Sequence, residues 1–163
     1  MGRLLAVYVP VIAAAIWANA QLPLVGSLIC VATGLFLWTL LEYGIHRLAF
    51  HGFLPHSEHH ETPKDPKFIV SPFWLSGGTS LLLWVILRVP AGSWARSGLV
   101  LAAIISGYLL YEAVHLRIHA NEAGGAVLTA LRKRHYYHHF ADDRFCYGVL
   151  TSLWDRVFGS LPS

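Results

Sequence analysis

Charge is what this sequence has least of: Asp, Glu, Lys and Arg make up 13% of its 163 residues, against roughly 25% in soluble domains. With a hydrophobic share of 55%, too little polar surface is left to cover a globule in water, which excludes an ordinary soluble fold. Cysteine is nearly absent as well. Cys30 lies in an apolar run and Cys146 follows the last histidine cluster, so a disulfide between them would join a bilayer segment to a soluble one, and two free thiols are expected. The net charge of +3 is spread over basic residues interleaved with apolar runs; membrane topology accounts for them, and no nucleic-acid partner is indicated. Repeats, low-complexity tracts and linkers are also lacking, which leaves a single domain over 1–163.

What is present is a series of apolar stretches. A helix needs about 20 apolar residues to cross about 30 Å of hydrocarbon. Four stretches qualify, about 4–20, 22–43, 68–88 and 97–117, with Pro10 inside the first and turn residues from Val89 to Ser93 after the third. The predicted fold is an all-α, multi-pass integral membrane protein of about four transmembrane helices. With the N-terminus in the cytoplasm, ten of the 12 basic residues are cytoplasmic, and only Arg88 and Arg96 lie outside. The same orientation puts 44–67 and 118–163 together as a cytoplasmic cap, in which Ala126 to Phe140 reads as a helix whose Arg132, Lys133 and Arg134 meet anionic headgroups. Residues 1–20 also fit a signal peptide ending in Ala18-Asn19-Ala20. Because the next apolar run follows at once, an uncleaved span is expected, and a purified protein beginning at Gln21 would overturn that.

All ten histidines fall in two windows, 46–60 and 115–139. Spacings of three and four put side chains on one helical face. His56, His59 and His60 can therefore aim together, as can His115 with His119, and His135 with His138 and His139. His46 and His51 are five apart and would diverge on an ideal helix, so the helix is predicted to end between them, with Gly52 and Pro55 as breakers. Ten imidazoles exceed the four ligands of a tetrahedral ion or the six of an octahedral one, which implies two metals. Imidazole suits iron, zinc, copper and nickel alike, so ligand type does not choose among them. Ligating histidines usually donate their second ring N–H to a carboxylate or carbonyl, and Glu42, Glu58, Asp65, Glu112, Asp142 and Asp143 are the nearby candidates. One histidine beside a span is an ordinary interfacial residue, and Glu42 and Glu112 can simply snorkel. The repeated pairs and triplets are what argue for a metal centre. Tyr8, Trp74, Trp84 and Trp94 read as interface or packing residues.

These histidines resemble the motifs of the membrane-bound fatty acid hydroxylase and sterol desaturase superfamily: H-x4-H at His46 to His51, H-x2-H-H at His56 to His60, H-x3-H at His115 to His119, and H-x2-H-H at His135 to His139. Within it the chain is most similar to the fatty acid 2-hydroxylases, through Glu42-Tyr43, the run from His59 to Asp65 and the tail Gly148 to Gly159. The resemblance covers about residue 40 to the end. It implies that all ten histidines ligate two iron ions, exchangeable for zinc on isolation, that O2 is a co-substrate, and that a fatty acyl chain is hydroxylated, C2 being favoured. An unactivated C–H bond offers neither an acidic proton nor an electrophilic carbon, so a redox metal suits the task. The polar head of such a substrate is expected near Arg117 or the 132–134 run. Where the family runs from Gly-Val straight to Thr and Ser, Leu150 intervenes here. Some eukaryotic relatives carry a fused cytochrome b5 domain; these residues leave none for it, so a separate electron donor is expected, either cytochrome b5-like or a ferredoxin with its reductase. The rival readings are a carotenoid ring hydroxylase, from which the tail points away, a sterol-modifying oxygenase, and a non-catalytic membrane metal-binding protein.

Overall fold

The computed structural model describes residues 1–20, 22–51 and 57–162. Among these every regular element is helical: α1 (Gly2–Ala18), α2 (Leu24–Gly44), a π-helical turn (Ile45–Phe50), α3 (Ser57–Glu61), α4 (Pro66–Ile69), α5 (Phe73–Ala91), α6 (Trp94–His119), α7 (Ala126–Phe140) and α8 (Leu153–Val157). Three helical stretches among the described residues are long and apolar enough to cross a membrane, Leu24–Phe50, Phe73–Ala91 and Trp94–His119. The first expected span corresponds to α1, a shorter apolar helix of 17 residues with Pro10 inside it.

The chain forms two compact units. Unit 1 comprises Met1–Trp38 and Ser71–Leu110. Its centre is α6, where every residue from Leu99 to Ile105 is buried, so the helix is covered all round. Small residues set its approach to α2: a side chain at Gly34 would overlap the Val100 carbonyl and Ala103 Cβ, and one at Gly107 would overlap the Trp38 ring. Tyr8 and Trp38 meet Tyr108 edge-on, with ring centroids 6.0 and 5.8 Å apart. Asn19 closes the end of α1 by donating to the carbonyls of Ala15 and Ala95, both at 2.8 Å. Large apolar side chains face outward along α1, α2 and α5, among them Ile16, Leu24, Val25, Leu81, Leu82 and Val89. A soluble monomer rarely exposes so much continuous apolar surface. Lipid is the solvent that removes the cost, and the chain is a membrane protein.

Unit 2 comprises Thr39–Val70 and Tyr111–Ser163. Its interior is unusual in being polar: Glu42, Glu112, Asp155 and six histidines are buried beside Ile118, Tyr147 and Val149. Buried polar groups must be hydrogen-bonded or bound to metal, and that requirement defines the site. Cys30 lies in unit 1 and Cys146 in unit 2, and both are free thiols.

The helix does end between His46 and His51, at Phe50, but a break is not what brings the two rings together. The chain stays helical through Phe50 but widens, and the His51 N–H bonds to the His46 carbonyl at 3.2 Å. Such i→i+5 bonding brings residues five apart back onto one face, so the two rings lie 5.3 Å apart without a break. Gly52 and Pro55, the expected breakers, lie outside the described residues.

Candidate metal centre

Four segments of unit 2 deliver the histidines: the π-helical turn with His51 at its end, α3, the C-terminal end of α6, and α7. They converge in two groups, His59, His115, His119, His135 and His139 in one and His46, His51, His60 and His138 in the other. Within each group one ring nitrogen per residue lies within 4.8 Å of the rest. His56 lies outside the described residues. The two His-His dipeptides are each divided between the groups, because successive residues on a helix point about 100° apart. The groups adjoin, with the rings of His60 and His139 stacked at 4.2 Å.

The donor set fits metal. The Nε2 atoms of His115, His119 and His135 are mutually 2.9 to 3.1 Å apart. Each ring nitrogen of a neutral imidazole is either a donor or an acceptor, so three in a triangle cannot all pair with one another. A cation at their centre removes the conflict, since metal–nitrogen bonds of about 2.0–2.1 Å put neighbouring ligands about 3 Å apart. His51 and His138 repeat that spacing in the second group, Nε2 to Nε2 at 3.0 Å. Both ring nitrogens of His139 are buried and find no hydrogen-bond partner among the described residues, a costly arrangement unless an ion is bound.

Two histidines are aimed by backbone carbonyls. His46 donates from Nδ1 to the Tyr147 carbonyl at 2.6 Å, and His138 from Nδ1 to the Phe145 carbonyl at 2.7 Å. Each bond fixes the tautomer and leaves Nε2 as the lone-pair donor. The carboxylates expected in this role are placed differently from one another. Asp143 comes within 3.9 Å of His51 Nδ1. Asp142 instead turns to Arg144, accepting from its Nε at 2.9 Å and Nη2 at 2.7 Å. Glu42 accepts the Leu150 N–H at 2.7 Å; since the donor is backbone, the departure at Leu150 leaves this bond available. Glu112 is fully buried on α6, while Glu58 and Asp65 are exposed.

The residues the sequence did not disclose lie in the tail. Asp155 is 1% exposed and accepts from the backbone N–H of Tyr147 and of Gly148, both at 2.9 Å, and from Ser160 Oγ at 2.8 Å. The signal for it was an acid beside Trp154 in the tail that carried the resemblance. Three of the basic groups considered for a substrate head, Arg117, Arg132 and Arg134, are engaged within the protein. Arg117 pairs with Glu122 at 2.9 Å, Arg132 donates to the Glu122 carbonyl, and Arg134 donates to the Val149 carbonyl at 3.1 Å.

Electrostatics keep these histidines in the form a metal would need. Burial, reinforced by His119, His60 and His138, pushes His59 down to about 3. Burial takes His138 down to about 4, although its bond to Phe145 opposes the shift. His135 and His139 are driven well below the ordinary 6.5 by burial and by neighbouring imidazoles, and His51 and His60 are lowered chiefly by burial. At neutral pH all six are uncharged and free to donate a lone pair.

Residues 31–160 match the family described as fatty acid hydroxylase. The chain is 35% identical over 143 residues to a dihydroceramide fatty acyl 2-hydroxylase of Arabidopsis thaliana, covering 81% of this chain and 60% of that protein. It is 34% identical over 146 residues to the fatty acid 2-hydroxylase of Homo sapiens, covering 78% of this chain and 38% of the other. Among solved structures it is similar to full-length scs7p, of which only the hydroxylase domain is visible, with a TM-score of 0.88 over 98% of this chain and 66% of that one. At 24% identity that likeness shows the fold alone. The chain spans about 60% or less of the length of these curated relatives.

Proposed function

The chain belongs to the fatty acid hydroxylase family, and from that premise we propose that it is an O2-dependent lipid hydroxylase acting on a fatty acyl chain at C2, with two iron ions held by its histidines. The observation that carries this is the pair of adjoining groups of five and four histidines, each with ligand nitrogens gathered within 4.8 Å. The relatives' names support C2 and a ceramide-type acyl chain. The whole chain acts as one integral-membrane domain, with α1 crossing beside the three longer spans. The charge bias of ten basic residues to two supports a cytoplasmic histidine site.

His59, His115, His119, His135 and His139 hold one ion and His46, His51, His60 and His138 the other, with His56 completing the set. Iron, supplied with O2 and with electrons from a separate donor protein, provides the oxidant for a C–H bond that no side chain can activate. The protein's own part is preparation. Burial keeps the imidazoles neutral, and the carbonyls of Tyr147 and Phe145 aim two of them. His46, His59, His115, His119, His135 and His138 are each no more than 2% exposed, which limits their contact with bulk water.

The test is a lipid profile of cells with the protein, without it, and with His138→Ala, compared for single-oxygen mass gains. The expected result is a 2-hydroxyacyl species made only with the unaltered protein, while His138→Ala still inserts in the membrane. A substantially active His138→Ala protein would remove His138 from the ligand set. No oxygenated lipid despite bound metal would contradict the proposed substrate.

A further inference from the structure

We propose that Asp155 is the positioning residue of the four-histidine group, holding through the backbone the carbonyls that aim His46 and His138; this rests on the reading of the histidines as metal ligands. The link is short and complete. The Asp155 carboxylate accepts the N–H groups of Tyr147 and Gly148 at 2.9 Å each, and the Tyr147 carbonyl accepts His46 Nδ1 at 2.6 Å. Two residues earlier, the Phe145 carbonyl accepts His138 Nδ1 at 2.7 Å. Cys146, between them, adopts a left-handed φ of 59° and donates its N–H to the Ser160 carbonyl at 2.8 Å. Ser160 in turn gives its hydroxyl to Asp155 Oδ1 at 2.8 Å and lies 3.0 Å from the Tyr43 hydroxyl.

The loop tolerates little else. A side chain at Gly148 would overlap the Thr151 carbonyl and come 3.0 Å from Asp155 Oδ2. Hydrogen bonds from N–H groups to a buried carboxylate are among the strong ones, so Asp155 is suited to fix two consecutive peptides. Two members of the five-histidine group, His135 and His139, are built otherwise. Among the described residues the Nδ1 atoms of His135 and His139 have no hydrogen-bond partner. An effect of Asp155 that travels through the 145–148 carbonyls should therefore reach one ion and spare the other.

Asp155→Asn keeps the size of the side chain but replaces one acceptor oxygen with an NH2 group, which cannot accept from a backbone N–H. Loss of such outer support typically weakens metal binding about 10–100-fold. The experiment is a chelator competition on the purified full chain loaded with zinc(II) alone, following each ion separately. The unaltered protein should release two ions, and Asp155→Asn should release one of them at about 10–100-fold lower chelator while the other is unchanged. The affected ion should be the one that His138→Ala fails to bind. Thr39→Val, which removes the 2.9 Å bond from Trp154 without touching the loop, should leave both ions as they were. Should Asp155→Asn not fold, Ser160→Ala loosens the same carboxylate and should shift the same ion in the same direction by less. Equal weakening of both ions, or of neither, overturns the proposal, because a merely structural role would not discriminate. An unaltered protein that binds fewer than two ions overturns the metal reading itself and this inference with it.

Discussion

His138 shows how one side chain is made ready. It is fully buried, its Nδ1 proton is given to a carbonyl, and its Nε2 faces His51. Burial holds its pKa near 4 and that of His59 near 3, whereas an unfolded chain titrates both near 6.5. Above pH 6.5 both states are neutral and the contribution to stability is fully present. As pH falls from 6.5 towards 4 the unfolded state takes up protons that the fold refuses, so stability falls with pH. Chelator-treated protein is expected to lose thermal stability steadily between pH 7 and about 5, measured by its unfolding temperature; a flat profile would contradict the burial of neutral imidazoles. The nine histidines of the two groups were legible because each is a distinctive side chain in a motif. The carbonyls of Phe145 and Tyr147 were not, since every residue has a carbonyl and only the folded loop shows which ones meet a ring.

At the scale of elements, apolar runs marked the helices well, because hydrophobic length is set by the bilayer and written directly in composition. The π-helical turn was hidden. Five-residue spacing says only that an ordinary α-turn will not align His46 with His51, and both a break and a widened turn satisfy that. Close helix packing was equally silent, as a glycine in an apolar run carries no partner's name. Gly34 and Gly26, both in α2, test it. A side chain at Gly34 meets Val100 and Ala103, whereas nothing lies within 4 Å of Gly26. Gly34→Leu is expected to cost about 1–3 kcal/mol by overpacking and to lower the unfolding temperature in detergent by several degrees, with Gly26→Leu near the unaltered value. Equal behaviour of the two would mean that α2 and α6 do not approach as described.

For the whole molecule, the sequence disclosed that its two histidine windows share a site but not how they divide. That division depends on each His-His dipeptide sending one ring to each group, a consequence of helix rotation that shows only once α3, α6 and α7 are assembled around one point. The tail was legible as a resemblance and became physical only when Asp155 was found beneath the loop that holds His46. The central claim is that these groups together insert oxygen from O2 into an acyl chain. Its most direct test supplies purified protein with iron(II), a reductant, a fatty acyl lipid and isotopically labelled dioxygen. The expected result is a 2-hydroxyacyl product carrying one labelled oxygen, absent when iron is withheld and absent with His138→Ala. Product whose oxygen comes from water, or no product from iron-loaded protein under reducing conditions, would contradict it.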